Sequence, residues 1–126
     1  MEEHHMYTKE QKEQLEKVME VFQDYLKESP YAEVVWSEKI GYIFLNVDMK
    51  YQDVDLMIPL DCAETLFNRL CYEVAQDVLM MTGNDHAVRE ADPLETAEIW
   101  RRLASYLERL PEYRYLTEKM FKTKKS

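Results

Sequence analysis

A chain of 126 residues, 46% apolar and 33% charged, is long enough to bury a core and has the composition of a globular rather than a disordered protein. Two glycines and four prolines leave little material for flexible linkers. A formal net charge of −9 disfavours nucleic acid as a direct ligand and favours partners with basic surfaces.

The charge is sorted along the chain. Residues 1–47 hold ten acids and five bases, residues 48–98 hold twelve acids and three bases, and residues 99–126 hold eight bases and three acids. A block as acidic as 48–98 attracts cations and repels phosphates. No apolar run approaches the length of a membrane span. The opening residues are acidic and polar with no apolar signal segment, so the expected location is the cytoplasm. Cys62 and Cys71 stand nine apart in a helical stretch, about 13 Å along the axis, too far to bridge, and reduced thiols are expected. The expected organisation is a single domain over 1–126, with 1–7 and 122–126 as flexible ends.

The first element is an amphipathic helix over 8–29, with Leu15, Val18, Met19, Phe22, Tyr25 and Leu26 at three-and-four spacing. Ser29-Pro30 ends it, because a residue before proline is pushed out of the helical region. Residues 32–36 are β-branched and aromatic, and Gly41 supplies the positive φ of a bulged hairpin loop before a second strand at 42–47. Asp53 to Ile58 alternates strictly and reads as a third strand, so the short connections predict an antiparallel meander. The alternation puts Asp53, Asp55 and Met57 on one face with Tyr42, Phe44 and Asn46. It leaves Val54, Leu56 and Ile58 for the core face with Ile43, Leu45 and Val47.

Asp61, with Glu64 three residues on, predicts a capped helix running to about Thr82 with Ala63, Leu66, Phe67, Leu70, Val74, Val78 and Met81 inward and Leu79 off the stripe. Gly83-Asn84 is its stop. After a loop to Ala91, Asp92 at the N-cap, Pro93 at N1 and Glu95 at N3 start a second long helix. Its inward residues are expected to be Leu94, Ala97, Trp100, Leu103, Ala104, Leu107 and Leu110. Pro111 begins a last short helix carrying Tyr113, Leu116 and Met120. The order α-β-β-β-α-α-α predicts an α+β fold, a three-stranded antiparallel sheet with helices packed on it.

Few residues point to chemistry. Asp53 and Asp55 on one strand are a pair that can hold Mg²⁺, and nucleotidyltransferases use such a pair after a Gly-Ser at the start of a helix. Here Tyr42 follows Gly41 in place of a small hydroxyl residue, and the segment is a strand. Cys62 lies near a helix start, but Asp61 and Glu64 oppose a thiolate. Arg101 and Arg102 lie three and four residues after Glu98, the spacing of intrahelical ion pairs. No nucleophile motif, phosphate loop or metal-ligand spacing is present, so no catalytic residue, metal or cofactor is expected.

The favoured expectation is a small, acidic, non-catalytic protein that binds a protein partner with a basic surface, without direct contact to nucleic acid or membrane. Its contact residues are expected to be Asp48, Tyr51, Asp53, Asp55, Tyr42, Phe44, Asp85, Glu90 and Asp92. In the most specific form it is an inhibitor whose carboxylates take the place of phosphates in a nucleic-acid-binding channel. Anti-CRISPR and antirestriction inhibitors include small acidic proteins of similar element order, an analogy of fold and charge alone. One alternative is an acidic homodimeric chaperone or adaptor that holds a client segment on its Tyr- and Met-rich surfaces. The other is a metal-dependent nucleotidyltransferase-like enzyme using Asp53 and Asp55.

Overall fold

The computed structural model describes residues 7–48, 53–83 and 88–121. Its order is α1 (Lys9–Val21), α2 (Gln23–Glu28), β1 (Ala32–Ser37), β2 (Gly41–Asp48), β3 (Asp53–Pro59), α3 (Ala63–Met81), α4 (Pro93–Arg109) and α5 (Arg114–Met120). Short 3-10 turns lie at Val88–Glu90 and Pro111–Tyr113. The fold is α+β, with the strands grouped in one antiparallel sheet of order β1-β2-β3. The chain divides into two compact units, Met1–Leu66 and Phe67–Ser126.

In the first unit, α1 starts in a reciprocal cap. The Thr8 hydroxyl accepts from the Gln11 amide N–H at 3.0 Å, and the Gln11 side chain accepts from the Thr8 N–H at 2.9 Å. The single helix expected over 8–29 is instead two. At Phe22 the backbone moves to φ −95°, ψ 12°, although its N–H still bonds the Val18 carbonyl at 3.0 Å. Phe22 is fully buried at this kink. Neither proline nor glycine marks the break, so periodicity ran through it.

The hairpin between β1 and β2 closes as expected. Gly41 has φ +100°, and the Ser37 hydroxyl accepts from the N–H groups of Lys39 and Ile40, each at 3.3 Å. β1 and β2 pair from Ala32↔Asn46 to Ser37↔Gly41. β2 and β3 pair in one register from Ile43↔Pro59 to Asn46↔Leu56, then shift by one to Val47↔Val54 and Asp48↔Asp53. Asp55 is thus the extra residue of a bulge.

Tyr7, expected in a flexible end, is instead built into the sheet. Beyond the last β2–β3 pair, the Leu60 N–H donates to the Tyr42 carbonyl at 2.9 Å. The complementary bond is not direct. The Tyr42 N–H donates to the Tyr7 phenol oxygen at 3.0 Å, and that hydroxyl donates to the Leu60 carbonyl. The phenol therefore completes one rung of the ladder. A Cβ on Gly41 would lie 2.9–3.0 Å from the Tyr7 ring, so this glycine serves both the positive φ and the approach of the phenol.

The second unit is helical. α3 begins one residue later than expected: Cys62 holds the N-cap position, its carbonyl accepting from the Leu66 N–H at 3.4 Å, and Asp61 accepts from the Thr65 hydroxyl at 2.9 Å. Gly83, at φ +80°, follows the end of α3 as expected. Leu79 is buried and Met81 exposed, the reverse of the expected assignment. The start of α4 is as expected, with Asp92 accepting from the Glu95 N–H at 2.8 Å and Glu95 from the Asp92 N–H at 3.1 Å. Its inward row differs: Glu95, Ile99, Leu103 and Leu107 are buried, while Leu94 is 82% exposed. Glu95 can face inward because the Thr82 hydroxyl, as well as the Asp92 N–H, bonds its carboxylate. In the last segment Tyr113 and Thr117 are buried, with Leu116 and Met120 half-buried.

Tyr7→Phe removes the bridging hydroxyl and leaves two ladder groups without it. A loss of about 1–3 kcal/mol is expected from denaturant unfolding. Gly41→Ala adds a Cβ at a left-handed φ against the same ring, and a loss of about 1–3 kcal/mol is expected there too. A Gly41→Ala chain as stable as the parent would contradict the placement of Tyr7.

Candidate binding surface

Three of the expected contact residues lie at the far end of the β2–β3 ladder. Asp48 and Asp53 face each other across the ladder, and Asp55 follows at the bulge. Tyr51 and Asp85 lie outside the described residues. Glu90 and Asp92 belong to the second unit, both exposed, at the end of the 3-10 turn and at the cap of α4. Asp92 is engaged in that cap.

The expected sheet faces are corrected by the register. Phe44 lies opposite Ile58 and Asn46 opposite Leu56, so these residues share one face, with Val34 and Trp36 from β1. Met57 lies opposite Leu45 on the other face. The strict alternation of Asp53 to Ile58 predicts one register throughout; the faces are as expected at Asp53 and Val54, opposite Asp48 and Val47, and exchanged from Leu56 to Ile58 beyond the bulge. Phe44 is fully buried and belongs to the core, not to a contact surface. Ile43, its neighbour on the opposite face, is also buried, so β2 carries core residues on both sides.

Tyr42 sits in an aromatic group at the other end of the sheet. Its ring lies 4.7 Å edge-on from Trp36 and 6.2 Å from Tyr7, and Lys12 stands 5.1 Å above the Trp36 ring. The Tyr42 hydroxyl donates to Glu16 at 2.8 Å. Burial, with help from that carboxylate, pushes the Tyr42 phenol up to about 12. Burial also raises the Tyr7 phenol, partly opposed by the hydrogen bond from the Tyr42 N–H.

The exposed apolar residues are what the sequence pattern missed. Val54 is 54% exposed, Met57 59% and Leu56 38%, all on the edge strand β3. Val54 and Leu56, expected in the core, are exposed on this edge strand. In the second unit Met80, Met81 and Leu94 are exposed, where the Thr82–Glu95 bond joins the end of α3 to the start of α4. A cavity of about 410 Å³ is lined by Trp100, Ala104, Leu107, Glu108 and Arg114. Arg114 stands 5.2 Å above the Trp100 ring and pairs with Glu118 at 3.3 Å, while Phe121 stacks on Trp100.

Much of the acidic block has local structural work. Glu73 is nearly buried against Arg69 at 2.5 Å, and Arg69 also covers the Tyr72 ring at 4.7 Å. Glu98 binds Arg101 at 2.6 Å and Arg102 at 2.8 Å, the intrahelical pairing expected from their spacing. Hydrogen bonds from those two arginines hold the Glu98 carboxyl down at about 2. The Cys71 thiol, beside the Thr117 hydroxyl at 3.7 Å, is pushed up to about 12 by burial and stays protonated at neutral pH. Both cysteines are free. Among the described residues no group of three or more His, Cys, Asp or Glu is placed to hold a metal, and no helix is long and apolar enough to cross a membrane.

Compared with known protein families, with curated proteins and with solved structures, the chain has no match.

Two titrations follow from these environments. Glu98 should lose its proton at about pH 2 by carboxyl NMR, so its two ion pairs persist well below the ordinary glutamate range and are lost as pH falls through that value. The raised tyrosines act at the other extreme. A phenol that holds its proton more tightly when folded stabilises the fold fully below pH 10, and this contribution is lost as pH rises toward about 12 for Tyr42. Glu16→Gln should lower the Tyr42 midpoint, read as phenolate absorbance.

Proposed function

We propose that the chain is a small acidic, non-catalytic binding protein whose partner presents a basic surface, with the far end of β2–β3 as the contact region. The observation that carries this is the exposure of Val54, Leu56 and Met57 on the same strand as Asp53 and Asp55, across the ladder from Asp48. Exposed apolar side chains supply contact energy, and neighbouring acids select a cationic partner and speed its encounter. Glu73, Asp92, Glu95 and Glu98 serve helix pairs and caps in the second unit. In its sharpest form the partner is a nucleic-acid-binding protein, and the acids occupy positions otherwise taken by phosphates.

A second surface favours an adaptor or homodimer. Met80, Met81 and Leu94 are exposed where α3 ends and α4 begins, and methionine packs adaptably against varied partners. That reading predicts binding that is damaged by apolar rather than acidic substitutions.

The test compares the parent with an Asp48→Asn, Asp53→Asn, Asp55→Asn triple variant. Partners captured from cells are re-made as purified proteins and their affinities measured across salt concentrations. Weakening of about tenfold, some 1.4 kcal/mol, is expected at low salt, shrinking as salt screens the charges. Equal affinity and no salt dependence would sink the proposal, and sensitivity confined to Met80→Ser or Leu94→Ser would move the contact to the second surface.

A further inference from the structure

Resting on that reading, we propose that the outer edge of β3 binds its partner by strand addition, accepting a short extended segment that alternates apolar residues with lysine or arginine. Among the described residues, β3 is paired on one side only, with β2. The hydrogen-bond phase of the sheet fixes which of its backbone groups face outward. The Leu60 N–H donates to Tyr42 in β2, so Leu56 and Ile58, two and four residues before it, also turn their backbone groups toward β2. The Val47 N–H, by contrast, donates to the Tyr31 carbonyl on the β1 side, so its partner Val54 turns outward. The N–H and C=O of Met57 and of Val54 therefore lie along the free edge. Pro59 offers only its carbonyl there.

Side chains and charge select the occupant. Val54 and Met57, the two residues with outward backbone groups, are each more than half exposed and can pack against apolar residues of an added strand. A long, flat partner strand is disfavoured, because the bulge at Asp55 bends the edge and Pro59 ends its run of donors. A second copy of this chain is also disfavoured. A pair of β3 strands would put four acidic residues and no basic one along one seam. A cationic strand meets the same acids with the opposite sign. The occupant is thus a basic, extended segment of a few residues, recognised through backbone pairing at Met57 and Val54 and through charge at the acidic end of the strand.

The probe is a synthetic seven-residue peptide of alternating lysine and valine with blocked ends, used with the full chain. Amide hydrogen exchange is followed residue by residue at low salt. Strand addition predicts slowed exchange at the Met57 and Val54 amides, with the Leu56 and Ile58 amides, already paired to β2, unchanged. A peptide of the same sequence with alternate backbone amides methylated should bind about tenfold more weakly, because it keeps its charge and loses its donors. Met57→Pro removes one outward donor and should weaken the parent peptide similarly. Equal binding of the methylated peptide, with no slowing at Met57, overturns strand addition while leaving the basic-surface reading to the triple Asn variant. Absence of binding at millimolar peptide overturns it too. Concentration-dependent slowing at Met57 without peptide would make the occupant a second copy and overturn the charge argument.

Discussion

The hydroxyl of Tyr7 holds the sheet end together. It occupies the gap between the Tyr42 N–H and the Leu60 carbonyl, receiving one hydrogen bond and giving another. Without an oxygen that can both accept and donate at this point, two backbone groups at the end of the β2–β3 ladder lose their partners. The arrangement explains neighbouring choices. Position 41 holds glycine because the ring approaches where a Cβ would stand. Tyr42 and Trp36 gather around the same ring, and Lys12 and Glu16 of α1 reach this aromatic group with their charged ends. A single side chain thus ties α1, the β1–β2 hairpin and the end of β3 into one construction.

The sorted charge of the sequence has two physical meanings. In the second unit it is architecture: Glu73, Glu95 and Glu98 have bonded partners within three, four or thirteen residues, and the arginines of α4 neutralise their own helix. A net charge summed over 48–98 therefore overstates how much field is available to a partner, since paired charges act as dipoles and decay faster with distance. In the first unit, Asp53 and Asp55 lie on the same strand as the exposed Val54, Leu56 and Met57. The proposed contact region is therefore that strand end rather than the whole acidic block.

The parts of the fold legible in the sequence were those set by local chemistry. The three strands, the Gly41 turn, the Asp92-Pro93-Glu95 start of α4 and the Glu98 pairs with Arg101 and Arg102 all depend on residues within a few positions of each other. The failures were non-local. A bulge moved Met57 away from Phe44, and nothing in the alternation of Asp53 to Ile58 announces one. The kink at Phe22 lacks the usual proline or glycine. Leu94 looked like core because it is apolar and near the stripe, yet the buried row begins at Glu95, whose carboxylate is satisfied by the cap and by Thr82 thirteen residues earlier. The candidate surface was half legible: its acids stand out in the sequence, but the exposure of Val54, Leu56 and Met57 goes with β3 being an edge, which the alternation does not announce.

The rung completed by Tyr7 also orders events during synthesis. Tyr7 leaves the ribosome 35 residues before Tyr42 and 53 before Leu60, the two groups its hydroxyl joins. α1 can form early from its own cap, but its upstream tyrosine can complete the rung only once Leu60 has been made. The β1–β2 hairpin can close on its own, whereas the end of β3 is fastened only after Tyr7 returns to it. The nascent first unit therefore carries an open ladder position from the emergence of Tyr42 until that of Leu60, and the rung closes only when the end of β3 is free of the ribosome.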